Sequence, residues 1–421
     1  MKQEAVVVER GRLPEGWRWS TLGKECEINP RKRNIIEADD NRDTSFVPME
    51  VVDGGRGIIS EIRIVPFSKV KKGYTYFEEN DVLFAKITPC MQNKKSAIAV
   101  GLISGYGFGT TEFHVLRCKE RVIPKWVYYF IRNQRFIDEA ESNFTGAVGQ
   151  QRVPSPFLEK YPIIVPPFVE QQKIVDKLDK QMAQIEIMKK EAEGNIEAVK
   201  DLFYSYQKNL FESNIFQKCP KIKLVNLTTK IGSGITPNGG HSVYQKDGVP
   251  LIRSMNVHLN NFKKEGLAHI SAEIDESMKN TRVIKGDVLL NITGASIGRV
   301  CVVPDEICPA NVNQHVSIVR TNNMLNPYYL SYYLSNPNFQ KFIMDSESGA
   351  TRQALTKSKI EQFEIPAPSI EIQNQIVAQL NARKQLSEEL LNKMNNQLNS
   401  INQLPNSILN EVFGQYQIQL S

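Results

Sequence analysis

The chain has 421 residues, 41% hydrophobic and 23% charged, with a formal net charge of +6; at about 100–200 residues per domain this is two to three folded domains, not a disordered or fibrous chain. No apolar run approaches the roughly 18–20 residues of a membrane span, and the N-terminus lacks a signal-peptide core, so a cytoplasmic address without membrane contact is expected. Six cysteines without a C-x-x-C pair and five histidines at no ligand spacing argue against a zinc site or a disulfide framework, and read as reduced packing residues.

In chain order, residues 1–167 show short β-rich runs at 45–52, 81–85, 97–101 and 111–117, separated by Gly- and Asn-rich turns. A helix is predicted over 124–136, and Tyr161-Pro-Ile-Ile-Val-Pro-Pro167 closes the segment. From about Phe168 to Glu212, apolar residues alternate four and three apart (Leu178, Met182, Ile185, Ala192, Ile196, Val199, Phe203, Tyr206, Leu210), broken only at Lys189. That spacing predicts one long helix with a coiled-coil seam.

Residues 219–368 repeat the pattern, with strands predicted at 249–253, 287–290, 300–303 and 315–320, a helix over 327–342, and Phe363-Glu-Ile-Pro-Ala-Pro368 at the end. A second long helix follows over about Ile370 to Phe413, its seam weaker at Lys384 and Ser387, with Pro405 expected to kink or end it. The two helices are expected to pair. At 1.5 Å per residue each is about 65–70 Å long, enough for a rigid spacer. The fold class is α+β, with each domain mostly antiparallel.

The two domains are versions of one another. Asp81-Val-Leu-Phe-Ala-Lys-Ile-Thr88 returns as Asp287-Val-Leu-Leu-Asn-Ile-Thr293, and Gly146-x-x-x-Gln150 as Gly349-x-x-x-Gln353. The offset of about 203 residues is far beyond solenoid periods, so this is a duplicated domain. Residues 1–167 hold 25 basic against 21 acidic residues and 219–368 hold 16 against 12, each net +4, whereas 168–218 and 369–421 are each net −1. The basic excess lies in the repeated domains and points to an anionic partner there.

Catalytic signatures are weak. Asn336-Pro-Asn-Phe339 resembles a methyltransferase motif with the wrong third residue, and it matches Asn133-Gln-Arg-Phe136 at a helix end, which favours a structural role. Gly105-Tyr-Gly-Phe-Gly109 leads into a strand, not a helix N-terminus, and so cannot cradle a phosphate. Pro304-Asp-Glu306 lacks the rest of a nuclease motif. Binding candidates are Arg56 in the turn Asp53–Gly57, and Gln92, Asn93, Lys94 and Lys95 in the loop after 88. In the second copy they are Arg253, Asn256, Asn291, Thr293, Ser296 and Arg299. Arg and Lys suit guanine edges and phosphates, and Asn and Gln suit adenine edges. Gln150 and Gln353 read as loop braces.

Taken together, Leu13-Pro-Glu-Gly-Trp-x-Trp-x-x-Leu-Gly23, Asp81–Cys90, Gly109–Arg117 and Pro166-Pro-Phe-Val-Glu-Gln-Gln-Lys-Ile174 resemble the DNA specificity subunits of type I restriction-modification systems. The second copy departs at Pro368-Ser-Ile-Glu-Ile-Gln-Asn-Gln-Ile376 and lacks the Trp-x-Trp. The resemblance implies two target recognition domains, 1–167 and 219–368, each reading half of a split double-stranded DNA sequence, with 168–218 and 369–421 forming an antiparallel coiled coil. It implies two adenine-methyltransferase partners and helicase-nuclease restriction subunits, with no cofactor on this chain and S-adenosylmethionine, ATP and Mg on the partners. The subunit itself would be non-catalytic. A protein-binding scaffold and a stand-alone DNA-modifying enzyme are the alternatives.

Overall fold

The computed structural model describes residues 13–32, 40–147, 149–347 and 354–414. The chain divides into two compact units, Met1–Glu193 with Asn396–Ser421, and Gly194–Asn395. Each unit thus takes one copy of the repeated domain and part of each long helix.

The first copy contains β1 (Arg18–Thr21), α1 (Leu22–Glu25), β2 (Cys26–Ile28), β3 (Asp43–Val47), β4 (Val52–Asp53), β5 (Ile58–Ile59), β6 (Arg63–Pro66), α2 (Phe67–Val70), β7 (Thr75–Glu78), β8 (Val82–Ala85), β9 (Ser96–Ile98), β10 (Tyr106–Gly109) and β11 (Phe113–Cys118). Then come α3 (Pro124–Arg132), α4 (Gln134–Ser142), α5 (Ser155–Lys160), β12 (Pro162–Val165) and the long helix α6 (Phe168–Glu212). The second copy contains α7 (Asn214–Gln217), β13 (Lys221–Lys223), β14 (Thr228–Ser233), β15 (Val249–Ile252), β16 (Val257–His258), β17 (Asn261–Phe262), β18 (Ala268–Ile270), α8 (Ala272–Ser277), β19 (Arg282–Val283), β20 (Val288–Asn291), β21 (Val300–Val302), β22 (Ala310–Val312) and β23 (Val316–Thr321). It closes with α9 (Pro327–Ser335), α10 (Pro337–Glu347), α11 (Lys357–Glu361), β24 (Glu364–Pro366) and the long helix α12 (Ile370–Phe413).

Strand order is the same in both. The antiparallel sheet β2-β11-β8-β9 matches β14-β23-β20-β21, and the mixed sheet β6-β3-β10-β7 matches β18-β15-β22-β19, each with one parallel pair. The pairs β1-β12 and β4-β5 match β13-β24 and β16-β17. The period-two alternation shows why β8 is apolar throughout and β20 is apolar up to Asn291. Val82 and Phe84 enter the core under α3, while Leu83 faces the other way into the core with Val47 and Phe77. Val288 and Leu290 divide from Leu289 in the same manner. A strand covered on both faces gains about 1.5–3 kcal/mol per buried large side chain, and the one polar residue of β20, Asn291, is buried with its amide donating to Ser254 O.

The predicted helices over 124–136 and 327–342 are each two helices, broken at Asn133 and Asn336. Both asparagines leave the helical region and cap the next helix, Asn133 accepting from Phe136 N (3.0 Å) and Asn336 from Phe339 N (3.1 Å). Asn336-Pro-Asn-Phe339 is therefore a helix junction, and Gly105–Gly109 is itself mostly strand β10.

The long helices have the bounds read from their heptads. In the first unit Met182, Ile185 and Ala192 of α6 cluster with Leu398, Ile401, Leu404 and Ile408 of α12. In the second, Phe203, Tyr206 and Leu210 of α6 share a core with Ile376, Val377 and Leu380 of α12, and the Arg383 guanidinium lies 4.0 Å above the Tyr206 ring. The first part of each helix meets the last part of the other, which is antiparallel pairing. Pro405 does not end α12. It removes one backbone hydrogen bond, and the flanking Ile401, Leu404 and Ile408 hold the turn through their packing. Lys384 interrupts the seam because its Nζ donates to the Asn260 carbonyl at 2.6 Å. All six cysteines are free, Cys26 and Cys301 buried and the other four half-buried. Among the described residues no helix is long and apolar enough to cross a membrane.

Candidate nucleic-acid interface

The repeated sequence phrases build internal clasps. Asp81, 2% exposed, accepts from Arg117 Nε (2.9 Å) and Nη2 (2.7 Å) and from Glu78 N (2.7 Å). Asp287, fully buried, accepts from Arg320 Nε (2.7 Å) and Nη2 (2.8 Å) and from Ile284 N (2.8 Å). The hydrogen bond to its carboxylate raises each arginine further above its ordinary pKa. The Glu-Gln phrases that open the long helices have an equally local cause. Buried Gln171 donates to the Arg121 and Pro166 carbonyls and accepts from Ile123 N, and Gln373 does the same with Met324, Pro368 and Asn326. Each glutamine ties the start of a long helix to the loop before α3 or α9. Trp126 Nε1 donates to Ile164 O (2.9 Å), and Tyr329, at the matched position, donates to Pro366 O (2.7 Å).

The backbone corrects the register of the repeat. Ala85 N donates to Lys95 O and Asn291 N to Arg299 O, while Lys86 N donates to Glu112 O and Ile292 N to His315 O. Lys86 therefore matches Ile292, and the Ile-Thr echo at 87–88 and 292–293 is one residue out of step.

The residues singled out for DNA contact divide by burial. In the first unit Arg56 is exposed but lies 3.6 Å from Glu186 on α6. Its turn is pinned by Arg132, which donates to the carbonyls of Gly54 (2.8 Å), Gly55 (3.0 Å) and Lys94 (2.8 Å). A Cβ on Gly54 would lie 2.0 Å from the Asn93 carbonyl oxygen, and one on Gly57 1.9 Å from the Tyr128 hydroxyl, so this approach requires glycine. Gln92 is exposed and donates to Glu141 (2.6 Å), and Asn93 is exposed. Lys94 and Lys95 point inward, correcting the expectation of two loop cations facing a ligand. Lys94 Nζ donates to Asn406 Oδ1 on α12 (2.6 Å) and Lys95 Nζ to the Met49 carbonyl (2.8 Å). Burial, with Arg132 nearby, lowers the Lys94 pKa to about 8.

In the second unit Asn256 and Asn291 are fully buried and present no amide to solvent, which corrects their reading as base contacts. Asn256 Nδ2 donates to Lys263 O (2.9 Å) and its Oδ1 accepts from Arg253 N (3.0 Å). Asn291 Nδ2 donates to Ser254 O (2.8 Å). Arg253 is half-buried, donating to Gly266 O with its guanidinium 5.5 Å from the Tyr244 ring. Thr293 shares a 2.7 Å hydrogen bond with His315 Nδ1, and Ser296 and Arg299 are half-exposed. Gln150 is exposed, its main-chain carbonyl accepting from Arg152 (2.7 Å), and Gln353 lies outside the described residues.

The sequence reading passed over one group of exposed cations and, in a second, all but Arg299. In the first unit Arg31, Lys32, Lys69 and Lys72 are exposed near α2. Lys32 Nζ sits 4.9 Å from the Phe67 ring and 5.1 Å from that of Phe108, and burial and then Lys71 lower its pKa. The runs Arg31-Lys32-Arg33 and Lys69-Val-Lys71-Lys72 were the available signal. The matched helix α8 of the second unit is acidic instead, with Arg282 bound to Asp275 (2.6 Å) and Glu276 (2.7 Å). In the second unit the cations are exposed Lys263 and half-exposed Arg299, beside His258. Burial lowers the His258 pKa, and Lys263 and Arg299 add to it. No cluster of metal-ligating side chains occurs among the described residues.

Two like domains with buried clasps, differing surface cations and paired helices define a duplicated, two-unit protein. Residues 14–198 and 222–400 match the type I restriction modification DNA specificity domain, and the chain belongs to that family, whose members are non-catalytic specificity subunits. It is 38% identical over 191 residues to the type I restriction enzyme EcoAI specificity subunit of Escherichia coli, covering 45% of this chain and 32% of that protein. It is 37% identical over 202 residues to the EcoEI specificity subunit of the same organism, covering 48% and 34%. The chain thus spans about a third of the length of these two relatives. The putative MjaX specificity subunit of Methanocaldococcus jannaschii is 24% identical over 404 residues, covering 90% of this chain and 89% of that protein. Among solved structures, a chain described under complex assembly and conformational transition of the type I R-M system has TM-score 0.78 at 21% identity, covering 96% and 99%. The HsdS subunit from Thermoanaerobacter tengcongensis has TM-score 0.59 at 20% identity, covering 96% and 98%. At these identities the structures establish the fold.

Proposed function

We propose that this chain is the DNA-reading subunit of a cytoplasmic type I restriction-modification complex. Each unit reads one half of a split double-stranded target, and the paired helices seat two adenine-methyltransferase subunits, with restriction subunits joining that core. S-adenosylmethionine, ATP and Mg belong to those partners. The observation that carries this reading is the combination of a shared internal scaffold with unlike exposed cations. Shared clasps make two rigid platforms, and differing surfaces give each platform its own half-site.

The test is to co-express the chain with its methyltransferase and map methylated adenines across a genome. A split motif whose two halves change separately when residues 1–167 or 219–368 are exchanged for those of a related subunit supports the reading. Methylation at a contiguous or unaltered motif overturns it. A protein scaffold would give no sequence-dependent methylation at all.

A further inference from the structure

The two copies differ most informatively at one corner. Val51 O accepts from Ser60 N, and Asn256 O accepts from Lys263 N, so Val51 matches Asn256 and Ser60 matches Lys263. Ala85 matches Asn291 and Lys95 matches Arg299 through the backbone hydrogen bonds given above. Asp53 and His258 occupy the same place, the second residue of β4 and of β16. The first copy thus carries Asp53, Ser60 and an inward Lys95 over Val51 and Ala85. In the second copy His258, Lys263 and Arg299 stand over Asn256 and Asn291.

The substitutions go together. Asn256 Nδ2 holds the carbonyl of Lys263 itself (2.9 Å), and Asn291 Nδ2 holds Ser254 O (2.8 Å), in the turn that leads to His258. The Asn256 amide thus fixes the segment that bears Lys263, and the Asn291 amide fixes the turn that leads to His258. Copy one has neither amide, and its one cation at these positions, Lys95, turns inward to Met49 O. Neither Lys263 nor Arg299 has a carboxylate partner among the described residues, whereas neighbouring Lys264 is paired with Glu306 at 2.9 Å. Two unpaired cations on a braced backbone suit an anion whose position is fixed. On DNA that is a backbone phosphate, since such contacts set register without reading sequence.

We infer that Lys263 and Arg299, flanking His258, form a phosphate-binding corner by which the second unit grips the DNA backbone beside its half-site, with Asn256 and Asn291 as its positioning residues. This rests on the DNA-reading role proposed above.

The experiment uses the complex of the full chain with its methyltransferase. Binding of a fluorescent duplex carrying the mapped motif, and of an equally long duplex with that motif scrambled, is titrated over a range of salt concentrations. Lys263→Ala and Arg299→Ala should each weaken both duplexes alike and reduce the slope of log affinity against log salt by about one, leaving the methylated motif unchanged. Lys263→Arg should restore the slope, and Lys264→Ala should leave it alone. An unchanged slope in both alanine variants overturns the proposal, and so does a changed motif, which would mean base reading. Failure of the wild-type complex to methylate a split motif would instead sink the underlying reading, so the two failures are separable.

Discussion

The two units keep their interiors alike and their surfaces unlike. Buried Asp–Arg clasps, helix-opening glutamines and Asn helix junctions recur at matched positions. Exposed charge does not. The first unit gathers lysines at α2 where the second has acidic α8, and the second gathers cations at a corner where the first has Asp53 and Ser60. A residue repeated in both copies is therefore evidence for folding, and one that differs is the place to look for recognition.

The largest effect should come from the clasps. Arg117→Ala and Arg320→Ala each strand a nearly or fully buried carboxylate, which costs about 3–5 kcal/mol. Denaturant unfolding of the full chain should show losses of similar size for the two variants. A near-neutral result in one unit would break the equivalence of the scaffolds.

His114 separates the units by pH. It is buried, hydrogen-bonded to Val153 O (2.8 Å) and to Asn29, and burial, the leading cause, lowers its pKa to about 4. The matched residue is Ser317, which does not titrate. The unfolded imidazole takes up a proton near pH 6.5 while the folded one resists until about 4. Below pH 6.5 the unfolded state thus binds more protons, and stability falls as pH drops from 6.5 to 4, by up to about 3 kcal/mol. Unfolding measured at pH 7 and 4.5 should show this loss in the wild type and a smaller one in His114→Ser. An equal loss in both would remove His114 as its source.

Lys94 gives a smaller effect in the opposite pH range. Its pKa of about 8 lies below the ordinary 10.5, so burying the charge costs stability at pH 7, and the cost fades as pH rises from 8 to 10.5. Partial exposure screens the full shift, leaving about 1–2 kcal/mol. Lys94→Met should be more stable than wild type at pH 7, with the difference shrinking by pH 10. If the wild type is the more stable at pH 7, the bond to Asn406 outweighs the burial.

These residues mark how far the sequence could be read. Both long helices were legible in the sequence apart from the continuation of the second through Pro405, because an apolar stripe sustained over many turns leaves one periodic solution. The site was less so. Asn256 and Asn291 have the chemistry for adenine edges, but an amide is equally suited to bracing backbone carbonyls, and burial, which decides between them, depends on strands far apart in the chain. Lys95 and Arg299 occupy one ladder position with similar charge, yet Lys95 turns in because Met49 O is within reach. Cations near α2 went unremarked because Arg31 and Lys69 are separated in sequence and joined only by the fold.

The smallest predicted effect concerns Arg56, the first residue the sequence put forward. Its guanidinium faces Glu186 at 3.6 Å with both side chains about half exposed, and such surface pairs contribute about 0–1 kcal/mol. The turn is held by Arg132 from beneath, not by Arg56, so Arg56→Ala should leave stability almost unchanged while Arg132→Ala should not. In the assembled complex Arg56→Ala should also leave the salt slope of DNA affinity intact, because its partner lies on the long helix. A slope lowered by about one would place this turn on the DNA and give the first unit a phosphate contact on the same hairpin that carries His258 in the second.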